Sequence, residues 1–411
     1  MKRSASLIFV IVFIDSIGIG IVFPTLPGLL RTLLNGSSDV AGHYGFLLAA
    51  YAATMFFSSP VLGLLSDRYG RRPLLLLSLF GTAFDDLVMA LAHSIPVLYL
   101  GRMLAGITGA NFTVANAYLA DITSVEERSA AYGRMNACFG VGFIAGPALG
   151  GLLGAYSLRA PFYLAAALNA ASAVLCFFAL PESRIPSNAK PQAMSFASLN
   201  PLTSLRSVSA MHGMSHLLYI FCTIDFVGQI PGVLWVIYGV ARFGWSPVTV
   251  GLSLALFGLM HALCQAFLTA WTEKKCGRRG TILLGIACDA TGFTLFSLAG
   301  TTVAAFCIMP LLCLGGVALP ALQSLLSGRT SEERQGELQG VLTSFNSLVA
   351  ITGPLLSGYL YEFLRSRTTQ FPGSIWLVAP LLYAPCVVIL LRSPALRSAQ
   401  SVQPDSSSAL R

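Results

Sequence analysis

Apolar stretches of about 20 residues, each long enough to cross the roughly 30 Å hydrocarbon core of a bilayer as a helix, recur along the whole chain. They run from Leu7 to the region of Pro394, separated by short polar punctuation. In lipid the chain must satisfy its own backbone N–H and C=O groups, so such stretches fold as helices packed on one another. The sequence predicts twelve of them, at 6–29, 45–65, 73–93, 96–119, 131–155, 159–181, 212–238, 248–270, 280–300, 302–326, 337–361 and 373–392. The expected fold class is an all-α membrane protein. A water-soluble core is excluded, because only 10% of residues are charged, against about 25% in a soluble domain.

Lys2 and Arg3 precede the first apolar run, but no A-x-A-type cleavage site ends it, so it reads as a retained first helix. The nine cysteines are an odd number, sit mostly inside predicted spans and form no CxxC pair, which supports neither a disulfide framework nor a zinc site. The net charge of +8 reports topology. With the N-terminus in the cytoplasm, nineteen of the twenty-five Lys and Arg fall inside, Arg31, Arg159, Arg242, Arg365 and Arg367 fall outside, and Arg102 lies within a span. That bias is the positive-inside pattern and argues against a nucleic-acid partner.

Between Pro181 and His212 the chain turns polar and Pro/Ser-rich, dividing it into six spans and six. The expected domains are 1–181, a cytoplasmic linker at 182–211, a second half at 212–395 and a disordered cytoplasmic tail at 396–411. The halves are related. Gly70–Arg72 recurs as Gly277–Arg279, and Gly133 with Pro147 recurs as Gly340 with Pro354, all at a shift of 207 residues. Duplicated halves are a common transporter design, with the substrate site at their interface near the midplane.

Two motifs stand out. The loop GLLSDRYGRRP spans Gly63 to Pro73. In it Gly63 would allow close helix approach, Asp67 could accept from Arg71 or a facing helix end, and Arg68, Gly70, Arg71 and Arg72 complete a basic anchor. Span 5 carries Gly133, Gly142, Gly146, Pro147, Gly150 and Gly151. Glycines on one face permit tight packing, and Pro147 frees a backbone carbonyl and permits a bend.

The loop closely resembles the signature of the major facilitator superfamily, and the span 5 pattern resembles the one that distinguishes its exporters from its importers. Further strings narrow the resemblance: DSIGIGIVFPTLPGLL from Asp15, GRMLAGITGA from Gly101, GQIPGVLWV from Gly228, RFGW from Arg242, FGLMHALCQAF from Phe257 and ALPALQ from Ala318. Together they resemble the tetracycline/proton antiporters over nearly the whole chain outside linker and tail. The implied fold is two pseudo-symmetric six-helix halves. The chain departs from that pattern at Met55, at Asn111–Phe112–Thr113 and at Asp86, which replaces an aromatic; these positions are expected to line the cavity and bear on the substrate.

A charge within a span costs about 2.5–3.5 kcal/mol even on lenient insertion scales, so its retention needs a partner or a function. Asp15, Asp85, Asp86, Arg102, Asp225 and Asp289 qualify, with neutral-capable His261 beside them. At about 1.5 Å per helical residue, Asp15 and Asp289 lie roughly 13 Å from the cytoplasmic end, Asp85 about 18 Å in, and Arg102 roughly 9 Å from the outer end. The depths of Asp85 and Arg102 suit an ion pair. Consecutive helical residues point about 100° apart, so one of Asp85 and Asp86 faces the cavity; the resemblance selects Asp85. Desolvation favours the neutral form of a carboxylate, which lets Asp15, Asp85 or Asp289 hold a proton that a cationic or metal-chelated substrate displaces. For each aspartate a purely structural role, permanently paired or hydrogen-bonded, stays open, most of all for Asp225. His261 and Gln229 gain weight as site residues from the matching strings around them, as does Phe112.

The expectation is a proton-coupled exporter of a tetracycline-like, metal-chelated drug in an inner membrane, both termini cytoplasmic, working as a monomer in the lipid bilayer. No catalysis, cofactor or resident metal is expected, and the absence of a P-loop argues against ATP. A divalent cation would arrive with the substrate. The alternatives are export of another amphipathic or chelating molecule, such as a siderophore, and a non-transporting receptor.

Overall fold

A computed structural model describes residues 2–36, 39–183, 214–331, 334–367 and 371–392. Most of the expected linker and the whole expected tail lie outside the described residues. The first half comprises α1 (Lys2–Leu33), α2 (Val40–Tyr69), α3 (Arg71–Leu91), α4 (Ile95–Thr108), α5 (Asn111–Ile122), α6 (Val125–Tyr156) and α7 (Ala160–Ala179). The second comprises α8 (Ser215–Phe243), α9 (Pro247–Leu263), α10 (Thr269–Leu298), α11 (Thr302–Gly315), α12 (Ala318–Ser327), α13 (Gln335–Arg367) and α14 (Val378–Arg392). Among the described residues there is no strand.

Among the described residues ten helical segments are long and apolar enough to cross a membrane. One of them, Pro247–Leu298, contains Gly277 in a non-helical conformation (φ 69°) and is two crossings. The pair α4 and α5, 14 and 12 residues long, are each too short and together make another. The described residues therefore hold the twelve crossings that the sequence predicts.

Four spans differ in detail from the expected uniform helices. Span 4, expected as one helix over 96–119, breaks at Gly109–Ala110. Span 10 breaks between Gly315 and Ala318, so its Gly316 stands 207 residues from Gly109 and the interruption is part of the repeat. Span 8 continues past the expected end at 270 through a π-helical turn, Cys264–Leu268, and span 12 opens with a 3-10 turn, Pro372–Leu377. All nine cysteines are free.

Glycine and proline faces pack the helices both within and between the halves. In α6, Gly142, Gly146 and Gly150 lie one turn apart and pack on α1. A Cβ on Gly146 would stand 2.6 Å from the Cα of Gly20, and one on Gly142 2.6 Å from the carbonyl of Phe13. Gly151 turns the other way, onto Gly251 of α9, whose own missing Cβ would collide with the carbonyl of Pro147. The second half repeats this, with Gly45 of α2 against the carbonyl of Pro354 and Gly358 against Ala41. These contacts cluster at the face opposite the Gly63–Pro73 loop.

At the loop face the halves are apart. A Cβ on Gly63, Gly133, Gly140 or Gly336 would meet nothing within 4 Å. The close approach expected at Gly63 is therefore absent in this conformation. The cores agree: one apolar cluster joins the second half to Val22, Leu26, Tyr44 and Leu47, while Ile8, Leu62, Leu75 and Tyr118 form a separate cluster at the loop end of the first. Gly251→Leu should overpack the closed face and lower the thermal unfolding midpoint of the purified protein, a cost of about 1–3 kcal/mol. Gly140→Leu, entering open space, should leave that midpoint unchanged.

Candidate functional site

At the loop face, Gly70 adopts φ +103°, a conformation that a residue with a Cβ rarely takes, and so ends α2 and starts α3 in one step. That turn delivers Arg71 into a cluster of acceptors. Its guanidinium donates to Asp67 (2.7 Å), to Asp121 at the end of α5 (3.0 Å) and to Ser66 Oγ (2.7 Å). Glu182 accepts from the backbone N–H groups of Arg71 (2.8 Å) and Arg72 (3.1 Å), filling donors that the first turn of a helix leaves open. Glu182 was expected to begin the linker; it is instead fixed to the first half. Arg72 donates to the carbonyl of Phe177 near the end of α7, and Arg279, its repeat mate, to that of Leu391 near the end of α14 (3.0 Å). Arg68 is outside the cluster and lies over Tyr69.

Deeper in the first half, three carboxylates are paired by three different groups. Asp85 is fully buried and makes an ion pair with Arg102, which also lies over the ring of Tyr51 (5.5 Å). Gly101 makes room for it, since a Cβ there would stand 2.8 Å from Asp85 Oδ1. Asp86 accepts from Asn169 Nδ2 at 2.9 Å, with both side chains buried. Neither adjacent carboxylate is open to solvent in this conformation. Asp15 accepts from Asn111 Nδ2 (2.7 Å), which also reaches Thr82 Oγ1 (3.2 Å). Asn111 is the first residue after the break in span 4, so the interruption aims its amide at Asp15. Phe112 beside it packs edge-on against Phe139 (5.3 Å).

The second half holds a cavity of about 290 Å³, lined by Asp225, Gln229, His261, Gln265 and Asp289 among apolar side chains. Tyr383 donates to Asp289 at 3.0 Å. His261 stacks on Phe257 (5.6 Å) one turn before the π-helical segment that carries Gln265. Gln265 donates to the carbonyl of Gly316 at the break in span 10 (3.4 Å). A Cβ on Gly315 would collide with the Asp289 carboxylate, and one on Gly316 with the His261 ring, so both glycines shape the cavity wall. Gln229 packs on Gly353, the repeat mate of Gly146. The predicted residues thus form three groups: the loop cluster, the paired acids of the first half, and the cavity of the second.

The sequence matches the Major Facilitator Superfamily over residues 8–240 and 226–410. The chain belongs to that superfamily. Within it the chain is 45% identical to the class C tetracycline resistance protein of Escherichia coli, over 95% of this chain and 98% of that one. It is 44% identical to the class G protein of Vibrio anguillarum, over 95% and 98%. The nucleoside transporter NupG, at 14% identity, superposes with a TM-score of 0.74, covering 98% of this chain and all of that one, which speaks for the fold alone. This facilitator chain is accordingly a multi-pass membrane transport protein and not an enzyme.

Reading the sequence of this facilitator missed Thr82, Asn169, Gln265 and Tyr383. Asn169 and Gln265 carried a usable signal, being amides inside apolar spans; a tyrosine or threonine in a span does not stand out. Removing one member of a buried ion pair leaves a stranded charge and costs about 3–5 kcal/mol. Arg102→Gln should therefore destabilise the purified protein more than the double variant Asp85→Asn/Arg102→Gln, as read from thermal unfolding midpoints. Gly228 lines the cavity with nothing within 4 Å of its missing Cβ. Gly228→Leu should leave membrane abundance unchanged and abolish transport by filling the cavity.

Proposed function

We propose that this chain is a proton-coupled antiporter that exports a tetracycline-like drug, carried as a divalent-cation chelate, from the cytoplasm across the inner membrane. The observation that carries this reading is the similarity over nearly the full length to six tetracycline resistance proteins, at 37–45% identity. The distribution of Lys and Arg supports a cytoplasmic loop face with both termini on that side. The conformation described above is then inward-facing, closed at the outer face and ready to load from the cytoplasm. A monomer suffices, since the acids and the cavity come from one chain.

The chemistry follows from the placement of the acids. Asp289 has a hydroxyl as partner and an open cavity beside it, so its charge can be met either by a proton or by a cationic substrate, but not by both. Loading the cationic chelate from the cytoplasm displaces the proton inward. After the halves rock, release of the substrate outward leaves the carboxylate to take a proton from outside before the return. Asp15, hydrogen-bonded by Asn111 across the break in span 4, is the corresponding acid of the first half. Asp85 and Arg102, already neutralised as a pair, keep α3 and α4 together while the rest exchanges charge. Substrate docks against Phe112, Gln229 and His261. The Arg71 cluster ties α2, α3 and α5 to the end of α7, so the first half moves as one piece.

In a pump-deficient host the wild-type chain should raise tetracycline tolerance, and Asp289→Asn at equal membrane abundance should return it to background. Inside-out vesicles bearing the wild-type chain should release protons from their lumen when tetracycline and a divalent cation are added. Unchanged tolerance with confirmed membrane expression of the wild-type chain would sink the substrate assignment.

A further inference from the structure

The second-half cavity contains a carboxylate that the export cycle above does not use. Asp225 lies on α8 ten residues after its start, roughly 15 Å along the helix axis. Its Oδ2 is buried without a hydrogen-bond partner. The other four span carboxylates are held differently: Asp85 by Arg102, Asp86 by Asn169, Asp15 by Asn111 and Asp289 by Tyr383. No Lys or Arg lines the cavity that Asp225 shares with Asp289, and its remaining polar lining is Gln229, Gln265 and His261. Two acids therefore face one chamber with no resident cation to balance them.

Space accompanies the charge. Asp225, Gly228, Gln229 and Gly232 recur at three- and four-residue intervals and share one face of α8. A Cβ on Gly228 or Gly232 would meet nothing within 4 Å, so the helix surface next to Asp225 is bare backbone with open volume in front of it. Uncompensated carboxylate and open volume together suit a ligand that brings positive charge. Among the described residues no three His, Cys, Asp or Glu side chains converge as a metal site, so the cation that fits Asp225 is an organic one.

We propose that Asp225 is a specificity-determining residue that docks a protonated amine of the exported molecule, making the cavity select amine-bearing substrates. This rests on the export reading and names the part of the substrate that the second carboxylate recognises. Asp289 remains the acid that exchanges the proton.

The test compares tetracycline with its 4-dedimethylamino analogue, which lacks the basic amine, as substrates of the full-length protein in inside-out vesicles. Loss of a charge-assisted contact corresponds to about tenfold or more in apparent affinity. Asp225→Asn should raise the KM for tetracycline by that factor and change the KM for the analogue less than twofold, while Asp225→Glu restores the preference. Equal effects on the two substrates, or none on either, would overturn the proposal. Should the wild-type chain carry neither compound, the tetracycline reading fails on its own. The amine claim is then read from the purified protein, using a quaternary-ammonium amphiphile and its uncharged tert-butyl isostere. The cation should raise the unfolding midpoint of the wild type more than the isostere does, and Asp225→Asn should erase that difference. An unchanged difference in the variant overturns the claim. Should Asp225→Asn fail to reach the membrane, Asp225→Glu and Gly232→Val carry the comparison. The first must keep the amine preference and the second must weaken binding of the amine-bearing ligand; either result reversed overturns the proposal.

Discussion

A charge in the hydrocarbon core of a membrane must be matched, and the way each one is matched decides what its part of this protein can do. In the first half each span carboxylate has an internal partner. Arg102 neutralises Asp85, while Asn169 and Asn111 donate to Asp86 and Asp15. An amide stabilises a carboxylate by a hydrogen bond without cancelling its charge, whereas Arg102 cancels that of Asp85. In the second half one tyrosine hydroxyl serves Asp289, and among the described residues no hydrogen-bond partner serves Asp225 Oδ2. Charge that the protein leaves unmatched must be supplied from outside, by a proton or a ligand. The division of labour between the halves thus begins with electrostatics.

Rigidity is distributed by the same logic. Arg71 reaches Asp67, Asp121 and Ser66, and Glu182 holds the two backbone donors beside it, so four helices of the first half are tied at one point. These partners all belong to the first half. The repeat mate of the turn keeps its glycine, Gly277 at φ 69°, but has Lys274 where the first half has Asp67. The backbone turn is duplicated and the ionic lock is not. Motion is permitted elsewhere, along glycine and proline faces where helices touch backbone to backbone and no side chains interdigitate.

Much of this was legible from the residues, for reasons that can be named. Span length and apolarity are dictated by bilayer thickness, so the twelve crossings were readable to within a few residues. The shift of 207 was readable because glycine and proline at a close contact cannot be replaced without a collision, as Gly146 against Gly20 illustrates. Depth was compatible with an ion pair to Arg102, and the resemblance selected Asp85 over its neighbour Asp86. The breaks in spans 4 and 10 were not, because Gly109 and Gly316 sit in runs of small residues where an uninterrupted helix is equally compatible with the sequence. The π-helical turn at Cys264–Leu268 leaves no compositional mark. Asn169 as the partner of Asp86 required knowing that α3 and α7 are neighbours, which is a property of the packing. The openness at Gly63 depends on which of its conformations the transporter occupies.

The repeat also separates what must be symmetric from what need not be. The positions equivalent to Asp289 and Asp225 in the first half are Thr82 and Gly18, and the position equivalent to Asp15 in the second is Cys222. None of the acids is duplicated, yet both helix breaks and the paired contacts of Pro147 with Gly251 and Pro354 with Gly45 are. Opening either face of the membrane requires the same rocking about the same kind of hinge, so the parts that move recur in both halves. The cavity that Asp225 and Asp289 line lies in the second half alone, and a charge on its wall acts on whatever occupies it. Duplicating the acids would add uncompensated charge at membrane depth without adding a second chamber, so the gates follow the repeat while the chemistry is free to depart from it.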